Sequence, residues 1–597
     1  MIRSTSLSKH FFAKLPVIVR NDIEYSIACR QKRQGATYQN LARFTDEAIK
    51  NGLNAAPYIE TKYPFSDSRN NVKNDLRLDH HILMNDSSIE HLSWRLMETH
   101  IGIMTSKNFD EEKEDEKRTY LDVLQDAYKQ MRDNLLKVYL SAPIIKKTHK
   151  TIEDAERELE CAIRRMLDDE WITKRFLFLR TQYIEFSQIA LGRVGKKKYR
   201  QKYISKVSFS NWMQKQRDAE AFLECMSVMN MDTGEAFDLN EVVKRTTANP
   251  ENRRIEMMVR ARGNEELAIE LGYEAVFINW TLPSKYHYNS KKWGGYSVKD
   301  GHINLMEQWK RGRARLAKDE IDYFGFRVSE PHKDGTSHSH MFLFCRPNQK
   351  AALVRHLEEV AIEEDRDELG EDITPRFLVK YADPNQGGAT AYIAKYISKN
   401  INGKHMPENE AEKSTYLVRA WASTHRIKQF QGFGNPSVGL WRSLRRVDAK
   451  DTKFDVDLEE LRQAADTSKW KRFCELAGEA KLEYSEKENK YGETTKKMIG
   501  FFWRNVVIET TSTEYSIVKK KDVSRLAVAL ALKKKRSFAP WSTENNCNST
   551  LKRALMEVTG WSLSGVQCLI APLLSGAKVP IDKHLTLTLR NNRLITT

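Results

Sequence analysis

The sequence predicts an α+β protein, with a central antiparallel sheet between Gly272 and Arg446 and mainly helical regions on either side. Three observations lead there. Short β-rich runs in the middle of the chain mix with helix-spaced segments without regular βαβ alternation. An Asp334-Gly335 turn joins two of these runs as a hairpin. Elsewhere, apolar residues recur at spacings of three and four among dense charges.

In chain order, residues 1–208 read as a helical N-terminal region, with Leu121–Leu140 and Thr151–Arg175 as its most periodic stretches. Residues 110–117 (DEEKEDEK) read as a mixed-charge surface segment. Gly195–Tyr203 packs five cations around two tyrosines and reads as a solvated face. Residues 209–271 continue as a helical lead-in. The central domain, 272–447, opens with Glu274–Leu282 (EAVFINWTL), an apolar β-rich run ended by Pro283. Ile303–Ala317 returns to helical spacing, Phe324–Val328 and His338–Cys345 read as strands, and Ala351–Glu364 as a helix. Pro375–Tyr381 reads as a strand and Ala389–Asn400 as a helix. Residues 448–597 read as mainly helical and basic, with cationic runs at Lys519–Lys521 and Lys533–Arg536.

The chain has 597 residues, a length of about three to five domains. Its 98 Lys and Arg against 81 Asp and Glu leave +17, so a polyanionic partner is expected. With 40% hydrophobic and 10% aromatic residues it has material for real cores, which excludes wholesale disorder. No run approaches the roughly 18 apolar residues of a spanning helix, so no membrane association is expected. Lys14 and Pro16 interrupt the N-terminal apolar run, which reads as an ordinary exposed start rather than a secretory signal. Seven scattered cysteines without a CxxC fit reduced thiols in a cytosol.

The residues that suggest chemistry begin at Glu330–His340, EPHKDGTSHSH. Side chains alternate along a strand, so His338 and His340 share one face and can chelate one divalent ion. Hairpin register decides what joins them. A three-residue loop, Lys333-Asp334-Gly335, sets Glu330 opposite His338 and His332 opposite Thr336, on the histidine face. A two-residue loop sends both away. The candidate ligands are therefore His338 and His340 with Glu330 or His332, the carboxylate suiting Mg²⁺ or Mn²⁺. Downstream, Tyr392 and Tyr396 lie four apart on one helix face, with Lys395 and Lys399 as a second such pair. A phenol is a poor nucleophile at neutral pH, and a metal with a nearby ammonium can activate it. Lys285–Tyr296 (KYHYNSKKWGGY) interleaves Tyr286, Tyr288, Trp293 and Tyr296 with Lys285, Lys291 and Lys292, a pattern suited to single-stranded nucleic acid. Arg426, Lys428, Arg442, Arg445 and Arg446 are further candidates for backbone contacts.

EPHxDGTxHxH followed by YxAKYISKN resembles the bacteriophage replication gene A protein family, HUH endonucleases that start rolling-circle replication. Phe277–His287 (FINWTLPSKYH), Trp421–Gly434 (WASTHRIKQFQGFG) and Leu440–Arg446 (LWRSLRR) fit the same pattern. Two positions depart from it. Ser339 stands where a bulky apolar residue is expected between the histidines, and Ser337 where a proline is common. The resemblance implies an HUH endonuclease domain in which Tyr392 or Tyr396 attacks origin DNA, single-stranded or supercoiled, and forms a 5′-phosphotyrosyl bond. The freed 3′-OH would prime a host polymerase, and the second tyrosine would religate the displaced strand. Lys395 and Lys399 would stabilise charge beside the bound Mg²⁺ or Mn²⁺. No GxxxxGK[ST] occurs, so no nucleotide site is expected, and unwinding falls to a host helicase in the host cytoplasm. Competing readings are a plasmid relaxase or HUH transposase, which lack the flanking motifs, and a non-catalytic single-strand binder, which gives no reason for the histidine and tyrosine pairs.

Overall fold

The computed structural model describes residues 6–32, 38–65, 78–106, 119–197, 200–381, 388–401, 408–504, 506–511, 513–537 and 546–560, with parts of 566–596. The mixed-charge run 110–117, Lys198, Tyr199 and Cys568 lie outside the described residues. The chain forms one large unit, Met1–Ser227 with Phe237–Glu514, and a smaller one, Val228–Ala236 with Tyr515–Thr597. Mixed helices and antiparallel sheets make it α+β.

The N-terminal region is helical, as its periodicity requires. Its core gathers Ile23, Leu96, Met131, Leu135, Ile172 and Phe176, all buried. Thr151–Arg175 is two helices rather than one, Ile152–Met166 and Asp169–Ala190. The break comes at Asp168, whose carboxylate accepts the N–H groups of Glu170 (3.0 Å) and Trp171 (3.3 Å) and so starts the second helix.

The central sheet has five strands: β1 (Glu274–Trp280), β2 (Tyr323–Pro331), β3 (Ser337–Cys345), β4 (Phe377–Tyr381) and β5 (Phe430–Phe433). They lie in the order β4-β1-β3-β2-β5, every neighbour antiparallel. Helices α1 (Pro250–Leu271), α2 (Val298–Lys318), α3 (Lys350–Ile362) and α4 (Gly388–Ile401) cover both faces. Val276, Ile278, Trp280, Met341 and Leu343 pack on α2 and α3. Phe277, Phe326, Phe342 and Phe344 pack on α1 and α4. Covering both faces explains why β1 and β3 are apolar at both parities.

Two expectations are corrected. The lead-in is not wholly helical, because strands Met226–Asn230 and Ala236–Asp238 follow helix Lys206–Cys225. Nor is the C-terminal region mainly helical. Ala480–Glu488, Thr494–Trp503 and Val506–Glu509 form an antiparallel sheet. Its first strand carries exposed charges at both parities, among them Lys481, Glu486, Lys487 and Glu488, which masks the period-two signal. In the smaller unit, Leu555, Leu573 and Leu587 share a core. Among the described residues, Cys29, Cys161, Cys225, Cys345 and Cys474 are free thiols, and no helix is long and apolar enough to cross a membrane.

One glycine controls how closely β2 and β3 approach. Gly325 has φ +146°, and a Cβ there would sit 1.9 Å from the Phe342 carbonyl oxygen, two residues from His340. Gly325→Ala should therefore destabilise the sheet by about 3 kcal/mol. Thermal unfolding measures this, and an unchanged midpoint contradicts the close approach.

Candidate active site

The site grows from the β2–β3 hairpin. Its loop is the three-residue Lys333-Asp334-Gly335 form: the His332 N–H donates to Thr336 O (2.7 Å) and the Gly335 N–H to His332 O (2.9 Å). Gly335 takes φ +91°, which a side chain resists. Asp334 Oδ1 accepts the Thr336 N–H (3.1 Å), and Trp421 Nε1–H donates to Gly335 O (2.8 Å), so the turn is held from both sides. This loop pairs Glu330 with His338 and Val328 with His340. Glu330, His338 and His340 thereby share one face, and their ligating atoms lie within 4.8 Å of one another.

The two imidazoles meet at their Nε2 atoms, 2.8 Å apart, and Glu330 Oε2 lies 3.6 Å from His340 Nε2. His340 donates its Nδ1–H to Asn279 Oδ1 of β1 (2.5 Å), which leaves Nε2 as the lone-pair nitrogen. Burial, with His332 and His340 beside it, holds His338 well below the ordinary imidazole range, so it is neutral at pH 7. As a neutral ring, His338 can carry its proton on Nδ1 and offer Nε2, beside that of His340, to a cation. The donors are two imidazole nitrogens and a carboxylate oxygen, a set that fits a divalent metal.

Glu330 is buried and its charge is locked. Burial opposes ionisation, but the Lys399 ammonium and the hydrogen bonds at both carboxylate oxygens outweigh it and hold the carboxyl below its ordinary range. Lys399 Nζ donates to Oε2 (2.6 Å), and Asn400 Nδ2 donates to Oε1. Gln429 Nε2 in turn donates to Asn400 Oδ1 (3.0 Å). His332 is outside this cluster. Its ring packs 4.0 Å from that of His338, and burial, then the neighbouring His287, lower it to about 4.

Helix α4 brings the tyrosines over the same face. The Tyr396 ring centre lies 4.3 Å from that of His340, and the two tyrosine hydroxyls are 3.4 Å apart. Burial, the Tyr392 hydroxyl and the Glu330 charge all push the Tyr396 phenol upward, so ionisation here needs a compensating positive charge. Lys395 faces solvent on the same helix, whereas Lys399 is committed to Glu330.

Several other expected positions do different work. Tyr286 and Trp293 are buried, so they are not open faces for bases. Trp293 packs on Tyr58 (4.5 Å between rings) and Phe186, docking its loop to the N-terminal helices. Tyr288 packs edge-on against Trp293, and Tyr296 lies on Tyr286 (4.6 Å). Lys285 is paired with Glu364 (2.6 Å) and Asp365, and Arg442 grips Glu256 with two hydrogen bonds. Lys291, Lys292, Arg426 and Lys428 remain exposed. Aromatics interleaved with lysines thus served packing here, because the loop crosses between two cores.

Sequence reasoning missed Asn279, Asn400 and Gln429. Two of them left a signal. Asn279 is a polar residue in an otherwise apolar strand, and Asn400 continues the four-residue spacing of Tyr392 and Tyr396. Ser339 faces away from the histidines and is fully buried against the α2 side. Around it, His302 Nδ1 meets Ser337 Oγ (3.0 Å), and the Arg327 guanidinium donates to Ser329 Oγ (2.8 Å). This polar layer replaces the apolar packing expected behind the histidines.

A family model described as bacteriophage replication gene A protein (GPA) matches residues 89–404. The chain is similar to the probable replication protein P12 of Pseudoalteromonas phage PM2, at 39% identity over 66% of this chain and 62% of the relative. It is 34% identical to the replication gene A protein of Escherichia phage 186, over 66% of this chain and 60% of that one. It is 28% identical to a probable replication endonuclease from a prophage-like region of Salmonella typhimurium, over 65% and 52%. The matched segments thus span less than two thirds of these relatives' lengths. No solved structure matches.

Two predictions follow from the geometry. Mn²⁺ at 100 times its Kd should stabilise the protein by about 2.7 kcal/mol. His340→Ala should abolish that shift, and Asn279→Ala should weaken Mn²⁺ binding about 10- to 100-fold by freeing the ring; titration calorimetry reads both. The second concerns acid. Burial first, then nearby cations, hold His302 and His425 at about 3, far below their unfolded value. The unfolded chain therefore takes up protons first, so stability is complete above about pH 6.5 and is lost as the pH falls toward 3. At pH 5 each histidine should cost about 2 kcal/mol. Urea unfolding at pH 7.5 and pH 5 measures the drop, which His302→Asn should lessen.

Proposed function

The chain belongs to the bacteriophage replication gene A protein family, and from that premise we propose that it is an HUH endonuclease that initiates rolling-circle DNA replication. The observation that carries the reading is the convergence of His338, His340 and Glu330 on one sheet face, with the Tyr396 ring packed on His340 and the Tyr392 hydroxyl 3.4 Å from that of Tyr396.

The tyrosines are the nucleophiles. A phenolic oxygen attacks the phosphorus of a phosphodiester in locally unpaired origin DNA. The new O–P bond forms as the P–O3′ bond breaks, and the departing oxygen takes up a proton to become a free 3′-OH. The 5′-phosphotyrosyl bond keeps the energy of the broken one, so a later 3′-OH can reverse the attack without ATP. A divalent cation, Mg²⁺ or Mn²⁺, held by His338, His340 and Glu330 would polarise the phosphate and offset the charge that the buried phenol cannot carry alone. Asn279 orients His340 for that task, and Lys399 with Asn400 keep Glu330 ionised and aimed. Lys395, exposed on the tyrosine helix, is the candidate for stabilising charge on the phosphate. Two hydroxyls so close allow the second tyrosine to cut the regenerated origin while the first still holds the displaced strand. A host polymerase extends the 3′-OH, and a host helicase opens the duplex.

Supercoiled DNA of the replicon that carries the gene, incubated with the full chain and Mn²⁺, tests the reading. An SDS-resistant protein–DNA adduct should form. It should disappear in the Tyr392→Phe/Tyr396→Phe double variant, and His338→Ala should slow it about 100- to 1000-fold. No adduct with either Mg²⁺ or Mn²⁺, or an adduct that survives in the double variant, rejects the mechanism.

A further inference from the structure

Several basic side chains around the site are neutralised internally: Lys285 by Glu364, Lys399 by Glu330 and Arg442 by Glu256. One cleft differs. It has a volume of about 490 Å³, and Arg253, Arg419, Arg426 and Lys428 line it with Trp212 and Gln429. No aspartate or glutamate lines it, and among the described residues none of the four cations has a carboxylate partner. The Arg419 guanidinium is held below its ordinary value by burial and by the Arg253 charge, as expected of cations gathered without an anion.

The chemistry of the cleft selects its ligand. Arg419 lies 5.7 Å over the ring of Trp212, the aromatic residue lining the cleft, so a cation covers the face that would otherwise stack a base. What remains on offer is positive charge with hydrogen-bond donors, which suits phosphate. Arg426 also adopts φ +50°, a costly conformation for a residue other than glycine, and Lys299 Nζ steadies it by donating to its carbonyl oxygen (3.1 Å). The cleft is open to solvent, so a nucleic-acid backbone can reach its cations directly. The cleft also connects to the chemistry. Gln429 lines it and donates to Asn400, which holds Glu330.

We propose that this cleft grips the sugar–phosphate backbone of the single DNA strand entering the tyrosine site, through Arg253, Arg419, Arg426 and Lys428, without reading its bases. The inference rests on the DNA-nicking function above and adds where the strand is held.

The test uses the full chain and a fluorescein-labelled single-stranded 30-mer of mixed sequence, with anisotropy followed across a salt series. Each lost phosphate contact lowers the slope of log K against log salt by about 0.7. Arg253→Ala/Lys428→Ala, both at exposed positions, should lower it by about 1.4 and weaken low-salt binding about tenfold. Arg419→Gln should act in the same direction, and a scrambled 30-mer should give the same slopes. Unchanged slope and affinity in both cleft variants, or a loss confined to duplex DNA, overturns the proposal. An adduct in the wild type beside an unchanged slope in the variants overturns the cleft and leaves nicking intact. A slope that falls in the variants, beside a wild type that forms no adduct, supports the cleft as a DNA site and rejects nicking.

Discussion

The hydrogen-bond register between β2 and β3 is the constraint on which the site depends. Side chains alternate along each strand, so a slip of one residue would carry Glu330 to the far face and leave the histidines without a carboxylate. Three features hold the register: the positive φ of Gly335, the Asp334 side chain bonded back to Thr336, and the Trp421 indole on the Gly335 carbonyl. None of them touches the candidate ligands. They act by deciding which atoms face one another.

The register creates a cost that the surrounding residues offset. A buried carboxylate without partners is prohibitively unstable, and Glu330 is buried on a sheet face that continues into Val328, Phe326, Phe342 and Phe344. Lys399 and Asn400 satisfy its two oxygens, and both come from the helix that carries the tyrosines. The same contacts therefore stabilise the acid and position the phenols. A single helix turn couples the two halves of the site, which explains why Lys399 is an ion-pair partner here and not an open cation. On the other face, His302 bonded to Ser337 and Arg327 bonded to Ser329 form a polar layer behind the histidines.

The candidate-site pattern was legible because its residues are close in sequence and their placement depends on simple periodicities. A period of two puts His338 with His340, and a spacing of four puts Tyr392 with Tyr396 and Asn400. The loop Lys285–Tyr296 was harder to interpret. Its aromatics have the composition of a base-stacking surface, yet Trp293 contacts Tyr58, more than two hundred residues earlier in the chain, and is buried by it. The C-terminal sheet was missed for a related reason, since a strand with charges on both faces carries no alternation to read.

The sequence by itself determined the α+β class, the first four strands of the central sheet, the family, and the residue types that make up the candidate site. These follow from local geometry and from residue chemistry. Tertiary structure alone decided the rest. It brought Glu330 rather than His332 into the cluster, gave Lys399 to Glu330, buried Tyr286 and Trp293, and gathered Arg253, Arg419 and Arg426 around one cleft. Each of these outcomes depends on which distant segment supplies burial or countercharge. Such pairings act through space, and no periodicity along the chain encodes them.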